Sequence, residues 1–271
     1  MRKNKIYDCL TFFNENLLVN SRFEILKDVV DYFIVCESKY DHQGRRKKIN
    51  FNLLNQQYKN KVRHIVIEEN FPDLRDGWAM EAHQREKIFD GLHDATDEDL
   101  VMYSDADEIP NPSILKDINL KKKYAIFLQK FFVYKINIYN KYETPWQGTR
   151  ICKKKNLKNI THLRKKIRLE NLQKQFWKIQ YERSIETFEN GGWHFNNLYD
   201  PNIISSKLKN IQHIDKRLVK VHTSVEAIKE KILKQEDLFG RNHKYKKIDI
   251  DVEYPDYIRN NLHLFKNFII E

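Results

Sequence analysis

The sequence predicts an α/β fold, Rossmann-like, with a mixed and mostly parallel sheet flanked by helices, and three observations carry that prediction. Short apolar runs rich in β-branched and aromatic residues alternate with longer stretches of helical spacing through the first half of the chain. Two of those runs end abruptly in polar residues, as a buried strand does where it opens at a ligand site. With 271 residues, 41% of them hydrophobic, the chain can enclose a core as one domain.

The elements follow in order. Residues 6–13 read as a first strand and 17–30 as an amphipathic helix. Residues 31–38 form an apolar run closing on Glu37 and Ser38, the pattern of a second strand. A third strand is expected over 62–68. A helix over 77–92 follows, with Trp78, Ala82, Arg85 and Phe89 at near-helical spacing. Residues 100–103 make a fourth strand leading into the acidic turn Ser104-Asp-Ala-Asp-Glu-Ile-Pro110, where Pro110 is expected to stop the chain continuing as strand. Residues 124–139 should give one or two further strands, 151–183 mixed loop and helix, 191–195 a glycine turn, and 225–239 a polar helix. No internal repeat or low-complexity linker interrupts the chain.

Charge is unevenly spread. The chain carries 49 basic and 38 acidic residues, a net +11. Residues 151–183 hold eleven Lys or Arg against Glu170 and Glu182, whereas 90–108 hold eight acids and no Lys or Arg. A basic block gains Coulomb energy beside anionic lipid, phosphorylated glycan or nucleic acid, and equally reads as a solvated face. Nothing in the aromatic pattern matches a nucleic-acid module, so no nucleic-acid partner is expected. Cys9, Cys36 and Cys152 lack metal-type spacing and are expected to be reduced, in a reducing compartment. No apolar run reaches the length of a membrane span.

Asp105 and Asp107 present two carboxylates from alternate positions just after an apolar strand. A hard cation such as Mn²⁺ or Mg²⁺ takes carboxylate oxygens and completes its shell with phosphate oxygens and water. Such a pair in isolation is as compatible with an exposed turn. Its place beyond a strand's carboxyl end in an alternating α/β pattern points to a site.

The chain resembles glycosyltransferase family 17, whose animal members are bisecting N-acetylglucosaminyltransferases. The resemblance rests on Tyr7-Asp-Cys-Leu-Thr-Phe-Phe-Asn-Glu15, Val29-Val-Asp-Tyr-Phe-Ile-Val-Cys-Glu-Ser38, Trp78 with Glu81-Ala-His-Gln-Arg85, Ser104 to Pro110, and Gly191-Gly-Trp-His-Phe195, in family order from about residue 6 to His213. It implies a GT-A fold, a nucleotide-sugar donor, UDP-N-acetylglucosamine by family likeness, and inversion at the anomeric carbon. It also implies one catalytic domain over 1–271: a nucleotide-sugar-binding half to about 110, an acceptor-side half over 111–223, and a helical tail over 224–271.

Residue by residue, the resemblance assigns the metal and donor to Asp105 and Asp107, with Asp107 the more direct metal ligand and His194 a third. Gly191 and Gly192 would let backbone approach the donor, and Trp193 would form a wall for a sugar ring or else belong to the core. Glu37 and Ser38 would bind base and ribose. Arg85 would meet the diphosphate or pair with Glu81 one turn earlier. Glu86 departs from the neutral side chain that the resemblance implies there. Inversion needs a carboxylate to take the proton of the attacking hydroxyl. Glu108 is the first candidate, with Glu143, Glu186 and Glu189 as alternatives.

The expected partners are the donor and a glycan or lipid-linked saccharide acceptor, with residues 153–168 resting on an anionic membrane. A chain with no anchor before its first strand resembles a bacterial or viral-type cytoplasmic member. Two other classes compete. A non-catalytic carbohydrate-binding protein would not need a diphosphate metal, and a basic nucleic-acid-binding protein would bind polynucleotide independently of Asp107.

Overall fold

A computed structural model describes residues 4–41, 44–72, 77–173, 182–210 and 223–271. Part of the basic stretch and His213 lie outside the described residues. Strand β1 (Ile6–Phe12) lies at the centre of a parallel group, with β2 (Tyr32–Ser38) on one side and β4 (Leu100–Asp105) on the other. Beyond β2, parallel β3 (Val62–Ile67) forms the edge. Period-two alternation explains why these runs are strands buried on both faces. In β1, Tyr7 and Cys9 enter one core layer, while Ile6, Leu10 and Phe12 enter the other. Val101 and Tyr103 of β4 join the first layer, and Leu100 and Met102 the second. Each such side chain contributes about 1.5–3 kcal/mol over its exposed state.

Helix α1 (Asn16–Leu26) covers the second layer with Val19, Phe23 and Leu26. The stretch expected as one helix over 77–92 is an α-helix, α2 (Gly77–Glu86), continued by a 3₁₀ segment over Lys87–Leu92. The tighter winding presses Gly91 onto β2, where a Cβ would stand 2.4 Å from Ile34 Cγ2.

Among the described residues, eleven strands join in one mixed sheet. Three differences from the sequence reading bear on the site. Pro110 does not stop the strands: Glu108–Pro110 is a short strand, β5. Proline is tolerated there because, among the described strands, β5 pairs with β10 alone and is an edge strand. Residues 124–139, expected to give one or two strands, do give two, β6 (Tyr124–Val133) and β7 (Ile138–Tyr139). Between the expected strands and the region read as loop and helix, and reaching three residues into that region, runs β8 (Trp146–Lys153), antiparallel to both β4 and β6. Glycine, threonine and charged residues interrupt its apolar positions, so it carries little alternation. The glycine turn is the strand β10 (Gly192–Asn196), after β9 (Ile185–Phe188).

β10 lies between β5, antiparallel, and β6, parallel. The two nominal halves of the chain therefore share one continuous sheet. Its glycines approach the protein's own backbone rather than opening a path to a ligand. Gly192 has φ +129°, and a Cβ there would meet the Ile109 carbonyl oxygen at 2.1 Å. The helix expected over 225–239 spans Val225–Leu233 and ends before Gln235, which has φ 55°. This is the α/β arrangement that the sequence predicted, a sheet flanked by helices, although among the described strands parallel and antiparallel pairings are evenly mixed rather than mostly parallel.

Candidate active site

The carboxyl ends of β1 and β4 open into a cavity of about 710 Å³, a size that accommodates a nucleotide-sized ligand. Asp105, the last residue of β4, and Asp107, in the turn to β5, both line it. The sheet brings His194 to them from the far end of the chain. His194 stands opposite Glu108 in the β10–β5 pairing, and Phe195 N donates to Asp107 O at 2.8 Å. His194 Nε2 then lies 3.3 Å from Asp107 Oδ1. Burial alone would lower the His194 pKa, but the charges of Asp107, Glu108 and Asp105 raise it overall.

Asp107 and His194 are the donor set that could hold a cation. Two neighbouring ligands of one octahedral ion at about 2.1 Å stand about 3 Å apart, close to the separation seen. Among the described residues no group of three or more His, Cys, Asp or Glu is arranged to hold a metal. Phosphate oxygens and water would therefore complete the shell, as is usual for Mg²⁺ in phosphate sites.

Asp105 is differently placed. Its Oδ2 accepts a 2.6 Å bond from Arg164 Nη2, and its Oδ1 accepts from the Tyr103 hydroxyl at 3.1 Å and lies 4.0 Å from Arg85 Nη2. Burial would raise its pKa, but Arg164 and then Arg85 hold the carboxyl well below the usual range. Arg85 also pairs with Glu81 at 2.9 Å, the alternative foreseen from their spacing.

Arg164 escaped the sequence reading because it sits inside the basic block. The same Nη2 lies 2.6 Å from Glu108 Oε1, and Nη1 donates to the carbonyls of Gln147 and Gly148. Glu86 explains how Arg164 arrives there. Its carboxylate accepts from the backbone N–H groups of Ile160 and Thr161 and from the Thr161 hydroxyl, capping the short helix Ile160–Leu163 that ends at Arg164. A neutral residue at 86 would lack that charge-assisted cap.

Two further residues anchor the acidic turn from beneath. Arg22 and Asp8 are fully buried, paired by bonds of 2.6 Å from Nε and Nη2. Arg22 also donates to Ser104 Oγ at 2.8 Å and to the Glu108 carbonyl. The pair thus ties β1 and α1 to the turn carrying Asp105 and Asp107. Nothing in their spacing marked them, since a buried ion pair 14 residues apart looks like ordinary surface charge in a sequence.

The nominated bases lie elsewhere. Glu108 is fully buried, with Oε1 accepting from Arg164 and from Trp146 Nε1 at 2.6 Å, and Oε2 accepting from Asp105 N at 3.2 Å. It braces the turn. Glu143 pairs with Arg241 at 3.0 Å, and Glu186 accepts from the N–H groups of Lys121 and Lys122, both outside the cavity lining. Glu189 does not line the cavity either. Glu37 is fully buried and holds the following loop through Lys47 Nζ and the N–H groups of Asn50 and Phe51, so it is the neighbouring Ser38 that reaches the cavity.

Trp193 points to the opposite side of β10 from His194, into the core, and its Nε1 donates to Glu253 O at 3.0 Å. The cavity's tryptophan is Trp146, whose ring centroid lies 4.9 Å from that of His194. The basic stretch also divides: Lys153 and Lys155 pair with Glu98, Arg164 turns inward, and Lys158, Lys165, Lys166 and Arg168 remain exposed. The three cysteines are free and buried, and burial pushes the Cys36 and Cys152 thiols up to about 12.

Residues 1–252 match the family described as glycosyltransferase family 17. Similar curated proteins are the beta-1,4-mannosyl-glycoprotein 4-beta-N-acetylglucosaminyltransferases of Rattus norvegicus and Homo sapiens. Each is 31% identical over 116 residues, covering 39% of this chain and 22% of the relative. The match spans about a fifth of those relatives' length. Among solved structures, glucosyl-3-phosphoglycerate synthase from Mycobacterium tuberculosis with phosphoglyceric acid is similar at 12% identity, covering 84% of this chain and 81% of that one, with a TM-score of 0.39. The same enzyme with Mn²⁺ and UDP-glucose gives 13% identity, 79% and 81% coverage, and a TM-score of 0.38.

Proposed function

The chain belongs to glycosyltransferase family 17, and we propose that it is a glycosyltransferase that moves N-acetylglucosamine from UDP to a glycan or lipid-linked saccharide, with inversion and with a divalent cation. The observation that carries this reading is the Asp107–His194 pair, 3.3 Å apart, in the cavity at the end of β4. When bound, Mn²⁺ or Mg²⁺ supplies positive charge against the charge growing on the departing diphosphate.

The protein's own groups do the rest. Asp107 and His194 hold the cation, and Asp105, kept ionised and oriented by Arg164 and Arg85, accepts hydrogen bonds from donor hydroxyls. Thr11 and Ser38 line the nucleoside end, and the Trp146 ring offers an apolar face beside the metal pair for a sugar. A fixed bed of charges of this kind needs no reorganisation as the glycosidic bond breaks.

The setting we infer is cytoplasmic, with peripheral contact to an anionic membrane through residues 153–168. The exposed Lys158, Lys165, Lys166 and Arg168 support it. Among the described residues, no helix is long and apolar enough to cross a membrane.

The test is hydrolysis of a panel of UDP-, GDP- and CMP-sugars with Mn²⁺, comparing wild type with Asp107→Ala. Release of UDP from UDP-N-acetylglucosamine, lost in the variant, is the expected result. No turnover together with no metal-dependent nucleotide binding would overturn the proposal.

A further inference from the structure

Helix α3 (Pro201–Asn210) is divided by its own periodicity. Ile204 and Leu208 are buried against Ile228 and Ile232 of the helix Val225–Leu233. Asn202, Ile203, Ser206 and Lys207, at positions one turn apart, line the candidate active-site cavity instead. The helix is thus fixed by one face and offers the other to a ligand.

Three cations of the cavity wall can be compared. Arg85 is paired with Glu81 and approaches Asp105, and Lys47 is paired with Glu37 at 2.6 Å. Lys207 has no carboxylate partner among the described residues. Its ammonium lies over the Tyr199 ring, 4.7 Å from the centroid, and that ring is tethered by its hydroxyl, which donates to Glu15. A half-buried lysine held by a tethered aromatic face, beside a cavity but without an anion, is poised for one. The ligand of the proposed reaction has such an anion to offer. As the glycosidic bond breaks, its electron pair leaves with the diphosphate, which gains one negative charge that a single divalent cation, already shared with the anionic Asp107, leaves unbalanced.

We propose that Lys207 binds the diphosphate of the nucleotide-sugar donor and neutralises the charge it acquires on departure. This rests on the donor reading above. Ser206 and Asn202, on the same face, supply neutral hydrogen-bonding groups beside it.

The experiment is binding of UDP by calorimetry and of uridine by ligand-observed NMR, with and without Mn²⁺. It uses wild type, Lys207→Met and Lys207→Arg, and thermal melting verifies that each variant is folded. Lys207→Met keeps the apolar stem over Tyr199 and should bind UDP about 10-fold more weakly or worse, consistent with loss of one charge-assisted bond. Uridine affinity should be unchanged, and Lys207→Arg should recover most of the loss. UDP affinity unaltered in Lys207→Met, or equal losses for UDP and uridine, would overturn the role of Lys207 while leaving the donor reading in place. A wild-type protein that binds no UDP with Mn²⁺ would overturn both.

Discussion

One guanidinium nitrogen, Arg164 Nη2, lies 2.6 Å from an oxygen of Asp105 and 2.6 Å from an oxygen of Glu108. The acids on either side of Asp107 are thereby closed into a single unit, leaving Asp107 to face His194. Removing one partner of a buried pair leaves the other uncompensated, at a cost of about 3–5 kcal/mol. Arg164→Met should therefore lower stability by about that amount in urea unfolding, because Glu108 is fully buried. The double variant Arg164→Met with Glu108→Met should recover part of it. A loss under about 1 kcal/mol would mean that the pair does not brace the turn.

The placement of the nominated acids makes a kinetic prediction. A general base contributes about 10²–10⁴-fold to rate. Glu143 and Glu186 are engaged with Arg241 and with the 121–122 backbone, outside the cavity lining. Glu143→Gln and Glu186→Gln should each keep kcat/KM within about 3-fold of wild type, since neither lines the cavity. A 100-fold drop in either, with folding intact, would restore that residue as the base.

Protonation of His194 links to folding in the metal-free protein. Its pKa is raised above 6.5 by the acids around it, so the stabilisation is fully present below that value and is lost as pH rises through the folded value. Without metal, the melting temperature of wild type relative to His194→Gln should decline as pH rises from 6.5. Mn²⁺ affinity should run the other way and strengthen with pH, because ligand binding needs neutral imidazole. A difference independent of pH would contradict the pairing with Asp107.

Backbone geometry at β10 predicts a third kind of effect. Gly192→Ala forces a Cβ onto the Ile109 carbonyl at a positive φ. It should cost at least about 2 kcal/mol and weaken Mn²⁺ binding through displacement of His194, two residues on. Parallel calorimetric melts and Mn²⁺ titrations check this, and unchanged values in both would refute it.

The parallel group was legible because buried strands such as Ile6–Phe12 and Leu100–Asp105 are continuous apolar runs whose ends turn polar. Asp105 and Asp107 were legible for the same reason. Arg164 was not, because a lysine-rich neighbourhood hides a cation that turns inward, and its position depends on the cap that Glu86 places on Ile160, 74 residues further along the chain. Trp146–Lys153 and Gly192–Asn196 were missed as strands because tertiary pairing, with β4 and β6 and with β5 and β6 respectively, overrides their weak local preference. Trp193 and Trp146 carry the same chemistry in a sequence. Only the pleat of β10 shows which one faces the site.

The central claim, that Asp107 and His194 together hold the cation that carries the donor, is tested most directly by titrating UDP into wild type, Asp107→Asn and His194→Gln, with Mn²⁺ and with EDTA. The account predicts that Mn²⁺ strengthens UDP binding to wild type at least about 10-fold, consistent with direct metal–phosphate contact, and that both variants bind UDP with the metal no better than without it. Metal-dependent UDP binding that survives in both variants would contradict it.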